Sequence, residues 1–252
     1  MPSTLAAHDL GFTVDGRGVL RGVTLEVQAG EVLSVMGMSG SGKTTLLKCL
    51  ARLHEPTEGR LEFDGVDITH LPEREMERIR LKIGMVFQYA ALFDSLTVFD
   101  NVAFGLVHNT RRSRAEIAHI VERRLNEVDM ADAANLMPAQ LSGGMRKRIG
   151  LARALALEPT VLLYDEPTSG LDPVIARTID DLILATRDRI GVTSVVVSHD
   201  VRSVFRISDR IAMIHQGELV AIGTPDEIRR SDHPIVRQFV GEAADGAAPT
   251  RR

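Results

Sequence analysis

The stretch Gly37-Met38-Ser39-Gly40-Ser41-Gly42-Lys43-Thr44-Thr45 decides how the whole chain is understood, because it spells the phosphate-binding pattern G-x-x-x-x-G-K-[ST]. The largely apolar residues 31–36 before it form a predicted buried strand, and residues 45–53 after it carry apolar side chains at helical spacing. A strand, a glycine-rich turn and a helix are the context that this pattern requires. The sequence therefore predicts a nucleoside-triphosphate site.

Each residue type in this loop has a chemical reason to be there. Gly37, Gly40 and Gly42 leave backbone N–H groups open to a bound phosphate. The helix that begins near Lys43 turns its positive end toward that anion. The Lys43 ammonium reaches the β- and γ-phosphate oxygens, and the Thr44 hydroxyl is a ligand for Mg²⁺. A chance glycine-rich turn is the alternative, and the flanking strand and helix argue against it.

Length and composition limit the class of protein. The 252 residues allow one α/β domain, or one domain with an inserted subdomain. Apolar residues make up 44% of the chain and charged residues 25%, which are ordinary globular values. The formal net charge of -4 gives no overall attraction to nucleic acid. We therefore expect no nucleic-acid partner.

Cysteine usage and the lack of long apolar runs indicate the compartment. The single cysteine, Cys49, excludes an intrachain disulfide and fits a reducing environment. We expect it to be a small buried residue, and a redox sensor is the alternative. No apolar run reaches the roughly 18–20 residues of a membrane-spanning helix, and the N-terminus lacks the features of a signal peptide. A cytosolic chain is expected, with any membrane part supplied by another subunit.

Strand and helix patterns alternate along the chain, with one long helical interruption. Strand patterns at residues 10–14 and 22–27 precede the phosphate-binding loop. Residues 88–158 are mainly helical, with apolar residues at helical spacing in segments 98–106, 114–129 and 142–157. The α/β pattern returns at residue 161 and runs to a predicted hairpin of residues 211–214 and 218–222. Residues 5–240 are predicted to form one domain, with a helical subdomain inserted at about 88–158.

The C-terminal end of the chain carries two weaker patterns. Residues 234–240 are either a short terminal helix or a frayed end. Residues 241–252 are mostly Gly, Ala, Pro and charged side chains, which predicts a disordered tail.

An apolar strand pattern at residues 161–164 ends in two carboxylates, Asp165 and Glu166. Groups at the carboxyl end of such a strand face the same crevice as the phosphate-binding loop. Asp165 is then placed to hold Mg²⁺ through water, and Glu166 to polarise a water for attack on the γ-phosphate. An ordinary acidic turn before Pro167 is the alternative, which the upstream loop disfavours.

A second helix start has the same anion-binding character. In Leu141-Ser142-Gly143-Gly144-Met145, Ser142 fits the N-cap position of the following helix. The two glycines leave backbone N–H groups exposed at the positive end of that helix. Taken alone, the segment is equally explained by an ordinary serine-capped helix.

These motifs resemble, in order and spacing, those of the ATP-binding cassette (ABC) ATPases, and the resemblance covers nearly all of the chain. Residues 37–45 match Walker A, residues 141–145 the signature, and residues 161–165 Walker B. Gln88 matches the glutamine loop, residues 169–172 the D-loop, and His199 the switch histidine. The fold implied is an α/β P-loop ATPase core with an antiparallel β subdomain and an inserted helical subdomain.

The resemblance also implies roles for individual residues, with ATP and Mg²⁺ as cofactors. Glu166, His199 and Gln88 are implied to be catalytic, and Thr44, Gln88 and Asp165 to hold the metal. The residues implied to contact nucleotide lie in Walker A, in the signature and D-loop, and near the adenine ring: Gly37 to Thr45, Ser142, Gly143, Gly144, Asp172, Phe12 and Val19. Phe12 replaces the usual stacking aromatic, and core packing is its alternative. A surface histidine is the alternative for His199.

ABC ATPases work as head-to-tail pairs, so the resemblance implies two ATP molecules at a dimer interface. Each site would join Walker A of one subunit to Ser142, Gly143 and Gly144 of the other. A closed C₂ pair that opens after hydrolysis supplies a mechanical stroke. A second copy of this chain is the simpler partner, and a different subunit is the alternative.

One branch of the family is more similar than others. Met145 stands where glutamine is common, and residues 87–102 are also typical of the ATPase subunits of bacterial Mla/Mce phospholipid transport systems. The resemblance implies integral membrane permease subunits docked beside Gln88 and residues 89–101. It further implies a STAS-domain partner, a periplasmic lipid-binding Mce protein, and a position on the cytoplasmic face of the inner membrane.

Two other functions stay open from the sequence. A polar-solute importer shares every catalytic motif, and only Met145 and the segment after Gln88 favour lipid or another hydrophobic compound. A soluble ABC ATPase acting on ribosomes or DNA is the third hypothesis. The basic runs 111–114 and 146–148 can contact nucleic acid, but we expect them to be solvated helix faces.

Overall fold

The computed structural model describes residues 1–245, and the burial of side chains as far as Gly241. Strands and helices follow the order β1 Leu5–Val14, β2 Arg17–Val27, β3 Val32–Met36, α1 Lys43–Leu50, β4 Glu58–Phe63, β5 Val66–Asp67, α2 Glu73–Arg80, β6 Ile83–Val86, α3 Val98–Asn109, α4 Arg114–Glu127, α5 Gly143–Leu155, β7 Val161–Asp165, α6 Pro173–Ile190, β8 Thr193–Ser198, α7 Val201–Ile207, β9 Arg210–His215, β10 Glu218–Gly223, α8 Pro225–Arg229 and α9 Pro234–Asp245. Two short 3₁₀ turns lie between α4 and α5.

The strands form two sheets. A four-stranded antiparallel sheet has the order β2-β1-β4-β5, and a six-stranded sheet has the order β10-β9-β3-β8-β7-β6. In the larger sheet β9, β3, β8, β7 and β6 run parallel, and only β10 is antiparallel to its neighbour. The strand that precedes the phosphate-binding loop, β3, is therefore central, and β8 lies between it and β7.

Successive side chains of the central strands point to opposite faces of the sheet, and each face packs into its own apolar core. Leu163 and Val195 point into the core shared with α1 and the antiparallel sheet, while Leu162 and Val196 point toward α3, α5 and α6. Strands buried on both faces have near-continuous apolar sequence, which is the pattern that β3, β7 and β8 show. A third, smaller core joins β9 to α7, α8 and α9.

Between β6 and β7 the chain is helical, as the sequence predicts. Helices α3, α4 and α5 pack on one another there, and Thr97, Ser113 and Ser142 each cap one of them through a side-chain oxygen. The predicted α/β class, with an antiparallel sheet and an inserted helical part, is confirmed by this architecture. No helix in residues 1–245 combines the length and apolar character needed to cross a membrane.

Several boundaries differ from the sequence-based predictions. Strand β1 begins at Leu5 rather than residue 10, because residues 5–7 pair with both β2 and β4. Residues 234–240 are helical, and α9 continues to Asp245, so it covers the first part of the tail predicted to be disordered. Residues 246–252 lie outside the described part. Burial of Val236 in the third core explains why this helix is held in place.

Candidate active site

The phosphate-binding loop joins β3 to α1, and two of its glycines are required by close contacts. Gly42 is the N-cap residue of α1, with a φ of 104° that disfavours any side chain. A Cβ at Gly42 would lie 2.9 Å from the Leu20 side chain, and one at Gly37 would lie 2.2 Å from the Ile214 carbonyl oxygen. The loop is therefore folded tightly against the end of β9 and the beginning of β2.

Lys43 and Ser41 carry the polar groups inside this loop. The Lys43 ammonium is buried and donates to the carbonyl oxygens of Gly37 at 2.8 Å and Met38 at 3.0 Å. Burial lowers the pKa of Lys43, and the charges of Glu166 and Asp165 oppose that shift. The Ser41 hydroxyl is buried with no hydrogen-bond partner, while residues 38–40 are exposed. A buried cation and an unpaired hydroxyl beneath an exposed loop suit a phosphate group.

Thr44 and Asp165 are brought together from α1 and the carboxyl end of β7. The Thr44 hydroxyl donates to Asp165 Oδ1 at 2.9 Å. Gln88 is not bonded to either: its Nε2 donates to the Ser169 hydroxyl at 3.4 Å. Of the three side chains implied to hold a metal, the structure thus pairs two, and the third is hydrogen-bonded to Ser169 of the D-loop instead.

Glu166 and His199 form a direct pair at the ends of β7 and β8. The His199 Nδ1 atom lies 2.7 Å from Glu166 Oε2, and the His199 backbone N–H donates to the same oxygen at 3.3 Å. Because an ionised carboxylate only accepts, Nδ1 is the donor to Glu166 in that state. Glu166 is buried, whereas 54% of the His199 side chain is exposed. The pair can orient a carboxylate toward an incoming water.

The signature residues start α5, and Asp172 starts α6. Ser142 Oγ accepts the Met145 N–H at 3.3 Å, and Ser142 and Gly143 are exposed. A Cβ at Gly144 would lie 2.7 Å from the Ile175 side chain, so this turn packs on the first turn of α6. Asp172 caps α6 by accepting the N–H groups of residues 174 and 175. In this chain, Asp172 therefore has a structural task as well as its expected nucleotide contact.

Of the two residues expected near adenine, Val19 lies beside the phosphate-binding loop, whereas Phe12 packs against His54. Phe12 stacks on His54, with ring centroids 5.1 Å apart and an angle of 14° between the ring planes. Its other neighbours are residues of the core around α1, in which it is partly buried. Val19 lies beside the loop, because its carbonyl oxygen would be 3.0 Å from a Cβ at Gly42.

Sequence reasoning missed Lys147 and Arg153, both on α5. Lys147 was expected on a solvated face, which is wrong: the residue is only 6% exposed, and its Nζ donates to the Glu166 carbonyl oxygen at 2.9 Å. Arg153 donates to the carbonyl oxygens of Ala91 and Ala90, each at 2.7 Å. Helical spacing was the available signal, since Lys147 shares its side of α5 with buried Gly144, Leu151 and Leu155.

Fold and loop together define a phosphate-binding-loop ATPase, and its candidate catalytic residues, Glu166 and His199, lie at the carboxyl ends of two parallel strands. The family model described as ABC transporter matches residues 20–169. The chain belongs to this family and is an ATP-binding, ATP-hydrolysing cassette of it. Among the residues whose side chains the structure describes, no three His, Cys, Asp or Glu residues cluster as a metal site.

Relatives and solved structures agree with that membership. The intermembrane phospholipid transport ATP-binding protein MlaF of Haemophilus influenzae is 40% identical over 96% of this chain and 92% of its own. The sulfate/thiosulfate import ATP-binding protein CysA of Yersinia pestis is also 40% identical, over 89% of this chain and 61% of its own. The cassette MJ0796, solved as a dimer in a post-hydrolysis state with ADP and Pi, superposes with a TM-score of 0.81 at 33% identity, over 88% of this chain and 98% of that one.

Proposed function

We propose that this ATPase drives the movement of phospholipid or another hydrophobic compound across the bacterial envelope, as a homodimer on the cytoplasmic face of the inner membrane. The similarity to MlaF and the Met145 signature support the lipid substrate. Integral membrane permease subunits, a STAS-domain protein and a periplasmic lipid-binding Mce protein are the partners proposed with it.

An exposed aromatic surface beside Gln88 is the observation that carries the transport function. Tyr89 is 84% exposed, Phe93 44% and Phe104 37%, in the segment where a permease helix is expected to dock. The Phe93 and Phe104 rings lie 4.5 Å apart, and the His108 ring lies 4.4 Å beyond Phe104. Exposed apolar patches of this kind mark protein–protein contacts, and they connect the nucleotide site to a membrane partner.

Within the site, we assign the γ-phosphate chemistry to residues of this chain. Glu166 accepts a proton from the attacking water, and His199 holds the Glu166 carboxylate in place. Lys43 leaves the Gly37 and Met38 carbonyls for the phosphates, whose remaining oxygens accept N–H groups of residues 38–45. Gln88, one residue from the exposed aromatic surface, senses whether the permease is docked.

The donor set beside the loop fits Mg²⁺. Thr44 and Asp165 supply a hydroxyl and a carboxylate 2.9 Å apart, and the Gln88 amide oxygen is a third oxygen donor on a neighbouring loop. Hard oxygen donors from one carboxylate and one hydroxyl are what this ion takes beside a triphosphate. When bound, it neutralises charge on the β- and γ-phosphate oxygens.

A head-to-tail pair of chains completes each site in this proposal. Ser142, Gly143 and Gly144 of one copy cover the triphosphate held by Gly37 to Thr45 of the other, with Asp172 at the junction. The exposure of Ser142 and Gly143 supports it, because an uncovered anion-binding helix start is available to a partner. Val19 and the face of Phe12 opposite His54 are the proposed contacts for the adenine ring.

A polar-solute importer is the second candidate, since CysA matches this chain at the same identity as MlaF. A ribosome or DNA clamp is less supported: Lys147 is buried and Arg148 is held by Val128 and Asp129, so this basic run is not free for a polyanion. No nucleic-acid partner is proposed.

Reconstitution with the permease that co-purifies with this chain tests the proposal. The complex in proteoliposomes should show ATPase activity that rises with phospholipid, and ATP-dependent transfer of a fluorescent phospholipid to acceptor vesicles. Sulfate and methionine uptake are measured in parallel, with a Glu166→Gln complex as the control for transfer without hydrolysis. Uptake of a polar solute without lipid transfer would establish the importer instead.

A further inference from the structure

Lys147 is a lysine on the buried side of helix α5, where charged residues are rare. Its ammonium group is buried between α5 and the end of β7, and in residues 1–245 its one hydrogen bond goes to the backbone carbonyl of Glu166 at 2.9 Å. Burial lowers the pKa of Lys147 to about 8, and the charges of Glu166 and Asp165 oppose that shift. A buried charge that is not paired with a carboxylate is costly to place, so a specific task is expected for it.

The peptide group that Lys147 holds is the one that sets the direction of the Glu166 side chain. Glu166 has a φ of 48°, a left-handed conformation that non-glycine residues rarely adopt. Its N–H donates to the Val197 carbonyl at 2.9 Å, and its own carbonyl accepts from Lys147 and from the Ser169 N–H at 3.2 Å. Strand β8 therefore fixes one side of this residue, and helix α5 fixes the other.

The same helix begins at the exposed signature turn. Lys147 lies about one helical turn after Gly143 and Gly144, which start α5. A displacement of the signature turn thus moves the Lys147 ammonium and the Glu166 carbonyl with it. The short path from Ser142 to Glu166 runs through a single rigid helix and one charged hydrogen bond.

We propose that Lys147 is a positioning residue that holds the Glu166 peptide in its strained conformation and links it to the signature turn of the same subunit. The proposal rests on the proposed function, in which Glu166 is the base and the signature turn contacts nucleotide in the site across the dimer. Each subunit would then adjust its own carboxylate according to whether its signature turn has engaged the opposite nucleotide.

The first test compares Lys147→Met with Arg148→Met in the full-length protein. Both variants remove a basic side chain of α5 that donates to a backbone carbonyl, but Arg148 donates to Val128, outside the site. Lys147→Met should lower kcat for ATP roughly 10- to 100-fold with little change in KM, because only part of a base contribution of about 10²–10⁴ is lost. Arg148→Met should keep the native kcat.

A second readout needs no turnover. The His199 ring is bonded to the Glu166 carboxylate at 2.7 Å, so its ¹⁵N NMR signals report the position of that group. Lys147→Met should shift these signals in the nucleotide-free protein, and Arg148→Met should leave them in place. Lys147→Gln, which keeps a shorter uncharged donor, is measured in the same way and replaces the Met variant if that protein does not fold.

Glu166→Gln separates failure of this inference from failure of the proposed function. If Glu166→Gln is inactive while Lys147→Met and Lys147→Gln keep native kcat and native His199 signals, Lys147 has no positioning role. Equal losses in Lys147→Met and Arg148→Met would also overturn it, as they would indicate general damage to α5. Native turnover in Glu166→Gln would instead remove the proposed base, whatever the Lys147 variants do.

Discussion

At the scale of the residue, Glu166 combines a left-handed backbone, a buried carboxylate and a hydrogen bond to an exposed histidine. Strained backbone persists only where surrounding contacts enforce it, and such residues concentrate at functional sites. The neighbouring Asp165 has ordinary strand geometry and bonds to Thr44. Two adjacent carboxylates therefore lie in different environments, which suits one for metal and the other for proton transfer.

Replacing Glu166 by glutamine tests the role of the base. The amide keeps the size of the side chain but cannot accept a proton from water, so we expect kcat to fall by about 10²–10⁴ while ATP binding is retained. Turnover is measured by phosphate release, and ATP-bound dimers by size-exclusion chromatography with Mg²⁺. Hydrolysis at the native rate would show that another group removes the proton.

Cys49 provides a second prediction at this scale, concerning reactivity. The thiol is fully buried in α1, and burial raises its pKa to about 12. At pH 8 only about one thiol in 10⁴ is then ionised, because each unit below the pKa lowers the thiolate fraction tenfold. Ellman's reagent should leave the native protein unmodified at pH 8 and titrate one thiol after denaturation. Rapid reaction in the folded state would restore the redox-sensor hypothesis.

At the scale of the element, α5 connects the signature turn to two other segments of the site. Lys147 reaches the end of β7, and Arg153 reaches the loop that follows Gln88. Ala90 and Ala91 in that loop both have left-handed backbones, with φ of 60° and 47°. Arg153 donates directly to the carbonyl oxygens of these two strained residues, so the shape of the loop depends on the helix behind it.

Arg153→Met is expected to loosen this loop. Loss of two charge-assisted bonds should lower the free energy of unfolding by about 1–3 kcal/mol and speed amide hydrogen exchange at residues 88–93. Hydrogen exchange with mass spectrometry locates the change. Arg148→Met is the matched control, and in this variant we expect faster exchange near Val128 rather than at residues 88–93. Unchanged exchange after Arg153→Met would mean that packing alone shapes the loop.

At the scale of the whole molecule, one chain carries two helix starts that are proposed to bind anions, and they face different surroundings. The start of α1 belongs to the phosphate-binding loop, while the start of α5 packs on the first turn of α6. The two helix starts can contact the same nucleotide only if a second copy of the chain turns its signature toward the phosphate-binding loop. The dimeric state of the similar cassette MJ0796 is consistent with that arrangement.

Mixing two inactive variants distinguishes ATP sites that are built from two chains from sites that lie within one chain. Lys43→Ala removes the proposed phosphate contact, and Gly143→Asp places a negative charge where the signature is proposed to meet phosphate. An added Cβ at Gly143 has an ordinary 3.5 Å contact with Leu171. If sites are shared, one of the two sites in each mixed dimer is free of both changes. About half of the dimers are mixed at equal amounts, so ATPase activity should recover to roughly a quarter of the native value.

The control for this experiment places both substitutions in one chain and mixes it with the native chain. In that mixed dimer each shared site carries one lesion, so no activity beyond that of native homodimers is expected. Mixed single variants that form dimers yet stay inactive would contradict a shared site. The two mixtures have the same composition, and only the distribution of lesions between chains differs.

The sequence by itself determined the elements and the identity of the nucleotide loop. Helices α3, α4 and α5 lie where the helical spacing of residues 98–106, 114–129 and 142–157 predicts them, and the predicted hairpin near the C-terminus is present as β9 and β10. Such features are local: strand and helix periodicities, and loop motifs, are visible within a few neighbouring residues. The order of the motifs was sufficient to expect an ABC ATPase, and the family match confirmed it.

Tertiary structure alone decided which side chains meet. His199 reaches Glu166 across 33 positions of sequence, and Lys147 reaches it across 19. The sheet places β8 beside β7, and α5 shares an apolar core with residues of both strands. Tertiary packing also buries Lys147, which the sequence predicts on the surface, and it stacks Phe12 on His54. Contacts between side chains that are far apart in sequence depend on sheet order and helix packing. Such contacts leave no pattern among neighbouring residues, so only the folded structure shows them.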